Sequence, residues 1–233
     1  SAASTTAAAA VTTAAAALAK ALNINVVLAQ LLIQRGINDF NSAKDFFRPN
    51  LDSLHDPFLM KDMDIAINRI EKAVSSKEKV LIYGDYDVDG TTAVALVYTF
   101  FKNFFAETDF YIPDRYNEGY GVSTRGIDWA KENGFTLIIA LDCGIKALEK
   151  VDYASQQGID FIICDHHRPG AVLPAAVAVL DQKRSDCNYP YKELSGCGIG
   201  FKLVQGFAKH RGISFFDIEH LLDLVAISIA ADI

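Results

Sequence analysis

The feature that most constrains this chain is a series of short apolar segments that alternate with helix-like segments from about residue 79 onward. Each apolar segment is four to six residues long and rich in Val, Ile, Leu or Phe, which is typical of strands buried in a sheet. The predicted strands are residues 80–83, 109–112, 136–141, 159–164 and 176–180. Strands that alternate with helices form βαβ units, so the sequence predicts an α/β fold with a mostly parallel five-stranded sheet flanked by helices.

Helices are expected between and after these strands. The stretch from Thr91 to Phe105 is apolar nearly all round, which suits a helix packed on the face of a sheet. Ser123 is expected to cap a helix that stops before Gly134, and the next helix is expected to stop before Gly158. The helices predicted in this part of the chain are residues 91–105, 123–133, 145–157, 199–210 and 215–229.

A small helical region is expected to precede the α/β part. The apolar face of residues 21–32 predicts a helical segment that ends before Gly36. Asn41 or Ser42 is expected to cap a short helix, and a further helix is predicted over residues 63–74.

These patterns predict three parts of the chain. Residues 1–17 are almost wholly Ala, Thr and Ser and form a low-complexity or unassigned segment that is neither a signal peptide nor a membrane span. Residues 18–76 form the helical N-terminal region, and residues 77–233 form the α/β domain. The chain stops just after an apolar helical run without a capping glycine, which predicts that it is the N-terminal fragment of a longer protein.

Net charge and cysteine usage narrow the functional classes. The net charge of −7 argues against the broad basic face with which non-specific duplex binders hold DNA. A nucleic-acid enzyme with this charge would need local positive charge, from bound metal ions or from further domains. The four cysteines form no CxxC pair, which favours reduced thiols and a cytoplasmic protein over a disulfide framework.

Carboxylates and imidazoles follow three of the predicted strands. The first strand is followed by Asp85, Asp87 and Asp89, and the third strand is followed by Asp142. The fourth strand is followed by Asp165, His166 and His167. Ligands of such folds bind beyond the carboxyl ends of the strands, so these side chains should meet at one edge. Like charges this close repel one another unless divalent cations lie between them. Oxygen ligands with some imidazole suit Mn²⁺ or Mg²⁺, and the lack of thiolate pairs argues against a structural zinc.

Three alternatives to a metal centre of this kind fit less of the pattern. An EF-hand loop that begins at Asp85 would need Glu at its twelfth position, which is Leu96, and a helix rather than a strand before it. A haloacid-dehalogenase-like phosphatase, with Asp87 as nucleophile, leaves the two adjacent histidines unexplained and is kept as an alternative. Turn chemistry explains one Asp-Gly loop more readily than three such loops.

Several motifs together resemble those of the DHH phosphoesterases. The motifs are residues 84–90, 113–121, Asp142-Cys143-Gly144, Asp165-His166-His167, the glycine-rich turn at residues 195–198, and Ala231-Asp232-Ile233. The three-aspartate form of the first motif resembles the RecJ branch, whereas related pyrophosphatases and nano-RNases carry a histidine there. One departure is Leu180-Asp181-Gln182, which stands where many relatives have an Asn-Pro pair.

The resemblance implies a centre with two ions, Mn²⁺ or Mg²⁺. The metal ligands that it implies are Asp85 and Asp87 for one ion, Asp89, His166 and Asp232 for the other, and Asp142 as the bridge between them. The catalytic residues that it implies are His167, which would face the scissile phosphate, Asp165, which would orient His167, and Asp142.

Three further residues are candidates for contact with the substrate. Arg115 could pair with a phosphate through its planar guanidinium group, or form an ordinary salt bridge with Glu118. Tyr120 could stack on a base, although core packing explains it equally well. Arg168 could extend the path of a bound strand.

The resemblance implies a metal-dependent 5′ to 3′ exonuclease that degrades single-stranded DNA to mononucleotides in repair and recombination. It also implies a second conserved domain and an oligonucleotide-binding domain beyond this core, and a bacterial cytoplasmic location. Such enzymes work with a single-strand binding protein and a RecQ-type helicase, and no membrane is involved. The alternatives are a DHH phosphoesterase acting on short RNA or cyclic nucleotides, and an inactive scaffold, which is disfavoured because every ligand position is filled.

Overall fold

A computed structural model describes the backbone of residues 2–232 and the side chains of residues 12–232. By its internal packing the chain divides into two compact units, Ser1–Leu54 and His55–Ile233. The division expected between residues 76 and 77 remains a prediction about domains.

The first unit is helical, as the sequence predicts. It contains α1 (Ala2–Leu22), α2 (Val26–Gln34) and α3 (Phe40–Phe47). The expectation of one helical segment over residues 21–32 is wrong, because Asn23 adopts a left-handed conformation with φ 54° and ends α1. Asn25 then caps α2, with its side chain accepting the amide of Val27 at 2.8 Å.

The cap of α3 also differs from the prediction. Asp39, rather than Asn41 or Ser42, is the capping residue. Its carboxylate accepts both the amide and the hydroxyl of Ser42, at 2.9 and 2.7 Å, so it satisfies an otherwise unpaired amide of the first turn.

The second unit holds the five predicted strands. Its elements are α4 (Met63–Ser75), β1 (Lys79–Gly84), α5 (Val88–Phe101), β2 (Glu107–Tyr111), α6 (Thr124–Glu132), β3 (Leu137–Leu141), α7 (Leu148–Gln156), β4 (Asp160–Cys164), β5 (Ala178–Leu180), α8 (Gly196–Arg211) and α9 (Leu222–Ala231). The strands form one parallel sheet in the order β2-β1-β3-β4-β5. The predicted α/β class is therefore confirmed.

Helices cover both faces of the sheet. On one face, apolar residues of α4, α5 and α8 pack against side chains such as Ile82 and Ile139, and α9 packs at the edge of this cluster. On the other face, α6 and α7 pack against side chains such as Leu81 and Ile138. Neighbouring residues of one strand thus face opposite layers, as the alternation of a β-strand requires.

Two helices begin later than predicted. α7 begins at Leu148 rather than at residue 145, because the amide of Ile145 donates to the carboxylate of Asp165 at 2.9 Å and holds the chain in a turn. α9 begins at Leu222 rather than at residue 215. Two short 3₁₀ turns, Phe215–Asp217 and Glu219–Leu221, occupy the intervening stretch.

Within the described residues, no single helix is both long and apolar enough to cross a bilayer. One pair of helical segments, Thr12–Leu22 and Val26–Gln34, meets the requirement together by length and composition alone, and is bent by 114° at the break.

Candidate metal centre

Four aspartates form a row along one edge of the sheet. The strand register places Gly84, Leu141, Cys164 and Leu180 side by side at the carboxyl ends of β1, β3, β4 and β5. The next residue in each case is an aspartate with at most 1% of its surface exposed, and these are Asp85, Asp142, Asp165 and Asp181. Adjacent strands lie about 4.8 Å apart, so four carboxylates are buried close together.

Burial makes the charged form of most of these carboxylates costly. It is the largest cause that raises the pKa of Asp85, of Asp142, and of Asp181, the last to about 6. Burial also opposes ionisation of Asp165, but hydrogen bonds from His167 and from the amide of Ile145 outweigh it and lower the pKa of that carboxyl. In this row, hydrogen bonds from the protein offset the burial cost of the charged form at Asp165, but they do not fully offset it at the other three aspartates.

His166 lies among acidic residues from three other segments. Its Nε2 is 3.2 Å from Oδ1 of Asp142 and 3.6 Å from Oδ2 of Asp89, and its Nδ1 is 3.8 Å from Oδ2 of Asp232. Burial lowers the pKa of His166, but its neighbours, Asp142 first, raise that pKa by more. Asp89, His166 and Asp232 offer ligand atoms that all lie within 4.8 Å of one another, the spacing of a metal site.

His167 belongs to a second group of potential ligands, with Asp142 and His166. Its Nδ1 lies 2.7 Å from Oδ1 of Asp165, and its Nε2 lies 3.1 Å from the hydroxyl of Tyr120. The hydrogen bond with Asp165 is the largest cause that raises the pKa of His167. Asp165 therefore orients the imidazole through Nδ1, and the other ring nitrogen faces the hydroxyl of Tyr120.

Asp89 is held by the start of α8. Its carboxylate accepts the amide of Gly196 at 2.6 Å, the amide of Cys197 at 2.7 Å and the hydroxyl of Ser228 at 2.7 Å. These donors come from segments that are distant in sequence, so α8 and α9 fix the orientation of this aspartate.

Asp85 and Asp87 lie in the loop after β1, outside the two ligand groups found among the described residues. Oδ1 of Asp85 accepts the amide of Tyr86 at 2.7 Å, while its Oδ2 is buried without a hydrogen-bond partner in the described structure. Asp87 is exposed and caps α5 by accepting the amide of Gly90 at 2.9 Å. Its negative charge contributes to the raised pKa of both Asp85 and Asp142, so it acts on the same centre.

The backbone at Asp142 is unusual. This residue follows β3 with φ 57°, a left-handed conformation that aspartate tolerates better than most side chains. Gly196, the first residue of α8, faces it so closely that a Cβ at position 196 would lie 2.5 Å from Cβ of Asp142. Only glycine fits there, and the start of α8 can therefore approach the centre.

The loop between β2 and α6 carries two predicted substrate residues and is organised by Glu118. Its carboxylate accepts the hydroxyl of Tyr111 at 2.9 Å, the amide of Asp114 at 2.9 Å and the hydroxyl of Ser123 at 2.5 Å. Among the described residues, no ion pair joins Arg115 to Glu118.

Side chains of this loop and of the loop after β1 contact one another in a row that ends at His167. The guanidinium carbon of Arg115 lies 5.3 Å from the ring centroid of Tyr86, and that ring meets Tyr120 edge to face at 6.2 Å. Tyr120 in turn contacts His167 edge to face, with centroids 6.1 Å apart. Tyr120 is 56% exposed, so the alternative of core packing is wrong for this residue.

Arg168 is exposed beside a cleft on the β5 side of the centre. The cleft is also lined by Lys183, Arg184, Lys192 and Glu193. Arg184 is committed to Asp62 and Asp186, whereas Arg168 makes no ion pair or hydrogen bond within the described part of the chain.

The donor set fits divalent cations. Two buried carboxylate oxygens, Oδ2 of Asp85 and Oδ2 of Asp181, have no hydrogen-bond partner in the described structure, and the nearest partner of Oδ1 of Asp142 is the imidazole of His166. Unpaired buried acceptors are costly, and oxygen atoms beside an imidazole are the ligands that Mn²⁺ and Mg²⁺ accept. The residues present can therefore hold such ions, and a cation would relieve their repulsion.

Sequence reasoning missed some members of this centre. Asp181 follows the fifth strand just as the other aspartates follow theirs, so its position after a predicted strand was a usable signal. Ser228 is a single hydroxyl in an apolar helix, and nothing in its sequence context indicates that it reaches Asp89.

A family model described as the DHH family, N-terminal domain, matches residues 79–229. The chain belongs to the DHH family. The matched segment contains the whole sheet and the histidine pair, and the haloacid-dehalogenase-like alternative is not supported.

Two curated relatives indicate the branch of the family. The chain is 41% identical over 216 residues to the single-stranded-DNA-specific exonuclease RecJ of Bacillus subtilis (strain 168), a match that covers 93% of this chain and 27% of that protein. It is 34% identical over 184 residues to the protein of the same name from Escherichia coli (strain K12), covering 75% of this chain and 32% of that one. The chain thus spans about a third or less of these relatives.

Solved structures agree on the fold. A crystal structure of exonuclease RecJ bound to manganese superposes with a TM-score of 0.67 at 27% identity, covering 75% of this chain and 44% of that one. RecJ in complex with Mn²⁺ from Thermus thermophilus has a TM-score of 0.73 at 23% identity, covering 92% and 30%, and supports the fold alone.

Proposed function

We propose that this chain is the catalytic core of a metal-dependent 5′ to 3′ exonuclease, which hydrolyses the phosphodiester bonds of single-stranded DNA and releases mononucleotides during repair and recombination. The observation that carries the proposal is the meeting of Asp89, Asp142, His166 and Asp232 at one sheet edge. Kinship with the RecJ relatives, which are named for single-stranded DNA, supports the choice of substrate.

The proposed centre holds two ions, Mn²⁺ or Mg²⁺. Asp89, His166 and Asp232 would ligate one ion, Asp85 and Asp87 the other, and Asp142 would contact both. Ions bound there would make an attacking water more acidic and offset the charge of the phosphate oxygens. The buried Oδ2 of Asp85, which has no hydrogen-bond partner among the described residues, supports the part of Asp85, and the contact of Oδ1 of Asp142 with His166 supports that of Asp142.

His167 is proposed to contact the scissile phosphate. Asp165 fixes its Nδ1, so Nε2 is free to exchange its contact with Tyr120 for one with a phosphate or leaving-group oxygen. Its membership of a ligand group with Asp142 and His166 makes direct metal ligation the competing role.

The substrate is proposed to run along the exposed cations and rings beside the centre. Arg115 would pair with a phosphate and Tyr120 would stack on a base or contact the sugar-phosphate backbone. Arg168, which has no ion-pair partner among the described residues, would extend the path on the other side.

We propose further that the chain works in the bacterial cytoplasm as part of a longer protein, with a second conserved domain and an oligonucleotide-binding domain. A single-strand binding protein and a RecQ-type helicase are the proposed protein partners.

The proposal is tested by incubating a protein that carries this chain with Mn²⁺ and 5′-labelled single-stranded DNA, duplex DNA or dinucleotides. We expect release of labelled mononucleotide from single-stranded DNA only. Asp142→Ala should lose at least about 100-fold in activity, because it removes the carboxylate that both ions would share and that lies 3.2 Å from Nε2 of His166. Circular dichroism of Asp142→Ala should match the parent protein.

Three outcomes would contradict the proposal. Preference for dinucleotides or cyclic nucleotides would move the chain to another branch of the DHH family, and full activity of Asp142→Ala would remove its role in the centre. Lack of turnover on every substrate would favour the inactive scaffold.

A further inference from the structure

We infer that Ser228 is a positioning residue of the metal centre, and that it restricts Asp89 to binding a metal ion through one oxygen, Oδ2. The inference rests on the proposed function and deepens it, because it concerns the cation preference of the same site. Ser228 is fully buried in α9, one helical turn before Asp232.

The direction of each hydrogen bond around Ser228 follows from the donor inventory. An ionised carboxylate only accepts, so the hydroxyl of Ser228 donates to Oδ1 of Asp89 at 2.7 Å. Ser228 has no second hydroxyl proton, and so Ser195, whose Oγ is 2.6 Å away, donates to Ser228. Ser195 itself accepts the amide of Gly198 at 3.1 Å. A one-way chain of donors thus runs from the start of α8 to Asp89.

These hydrogen bonds occupy both acceptor positions of one oxygen of Asp89 and leave a position of the other oxygen available. Each carboxylate oxygen offers about two acceptor positions. Oδ1 uses both, for the amide of Cys197 and the hydroxyl of Ser228, whereas Oδ2 accepts only the amide of Gly196. Oδ2 is also the oxygen that lies 3.6 Å from Nε2 of His166, on the side of the ligand group.

Single-oxygen ligation has a consequence for the choice of cation. Mg²⁺ demands a compact octahedral shell at short distances, whereas Ca²⁺ takes more oxygens and commonly binds carboxylates through both oxygens. By occupying Oδ1 of Asp89, Ser228 disfavours the two-oxygen mode, and therefore favours a small cation over Ca²⁺.

Ser228 also contacts a second ligand of the same group. Its carbonyl accepts the amide of Asp232 at 2.9 Å, while its hydroxyl holds Asp89. Any residue at position 228 would accept this backbone bond at the end of α9, so what is specific to Ser228 is the contact of its hydroxyl with Asp89.

The test is calorimetric titration of the metal-free chain with Mn²⁺ and, separately, with Ca²⁺, in the absence of substrate. Ser228→Ala should weaken Mn²⁺ binding about 10-fold or more, in line with the loss of groups that orient metal ligands. Ca²⁺ binding should change less or become tighter, because one of the two acceptor positions of Oδ1 of Asp89 is released while the amide of Cys197 still occupies the other. The ratio of the two affinities should therefore fall.

Thr136→Val is the matched control. It removes a hydroxyl that donates to Oε2 of Glu78, also at 2.7 Å, just before β3 at the opposite edge of the sheet. Both affinities should stay at their wild-type values in this variant. Ser195→Ala, which removes the donor behind Ser228, should lower the Mn²⁺ affinity by a smaller factor and serves if Ser228→Ala does not fold.

The inference would be overturned, with the metal centre left in place, if Ser228→Ala kept both the wild-type Mn²⁺ affinity and the wild-type ratio of Mn²⁺ to Ca²⁺ affinity. If Ser228→Ala is unfolded, the same result in Ser195→Ala would overturn it. Failure of the unmodified chain to bind Mn²⁺ at all would overturn both the centre and the inference.

Discussion

At the scale of single residues, Lys202 shows that this fold also buries a cation away from the centre. Its side chain is 3% exposed, and its ammonium donates to the carbonyl of His55 and to Oε1 of Gln205, both at 2.8 Å. Burial lowers the pKa of Lys202 to about 8. No carboxylate within the described residues bonds it directly, so the charge is compensated mainly by neutral oxygens.

The lowered pKa of Lys202 predicts a dependence of stability on pH. In the window between the folded pKa of about 8 and the ordinary value of 10.5, the unfolded chain binds more protons, so stability rises with pH. Lys202→Met removes this contribution. The difference in unfolding free energy between wild type and variant, from urea denaturation at pH 7, 8.5 and 10, should change across this range by on the order of 2–3 kcal/mol, in the direction that favours wild type at high pH. An unchanged difference would contradict the assigned burial cost.

At the scale of elements, the site depends on loops and helix starts that strands and helices bring together. Asp85, Asp142 and Asp165 follow strands whose ends are in register, and sequence reasoning could place them because strand ends of a parallel sheet share one edge. The grip of α8 and α9 on Asp89 could not be predicted, because it depends on how helices distant in sequence pack.

The loop between β2 and α6 should control substrate binding through Glu118. Glu118→Gln replaces one acceptor oxygen with a donor. Because the amide of Asp114 bonds Oε1 and the hydroxyl of Ser123 bonds Oε2, the variant can keep only one of these two bonds. We expect KM for single-stranded DNA to rise about 3- to 10-fold, because a loosened loop presents its contacts less well. The rate constant kcat and the Mn²⁺ affinity should change little.

Glu132→Gln is the control for this loop, because it removes the same charge from an exposed site at the end of α6. It should leave KM unchanged. A wild-type KM in Glu118→Gln would show that the loop does not depend on this carboxylate.

At the scale of the whole molecule, the sequence was sufficient for the α/β class, the five strands and their alternation with helices. Those features follow from local hydrophobic patterns, which each segment carries by itself. The break at Asn23 and the late start of α9 were not predictable, since local apolar patterns do not reveal left-handed residues or short 3₁₀ turns. The cap at Asp39 was missed because Asp39, Asn41 and Ser42 are all favoured capping residue types, so residue type does not choose between them. Asp181 was not assigned to the centre, because its strand is followed by a single acidic residue without the glycine or histidine neighbours that mark the other strand ends.

The negative charge of the whole chain bears on how it can bind DNA. With a net charge of −7 and a row of buried aspartates, the chain is poorly suited to bind a polyanion by itself. Divalent cations at the sheet edge would reverse the local charge where a phosphate must lie.

The most direct test of this account is anomalous diffraction at the manganese absorption edge, from crystals of the chain grown with Mn²⁺ and without DNA. We predict manganese peaks at the carboxyl edge of the sheet, one in contact with Asp89, His166 and Asp232 and another bordering Asp142. Manganese bound only elsewhere, or no manganese while these side chains keep the positions described, would contradict the account.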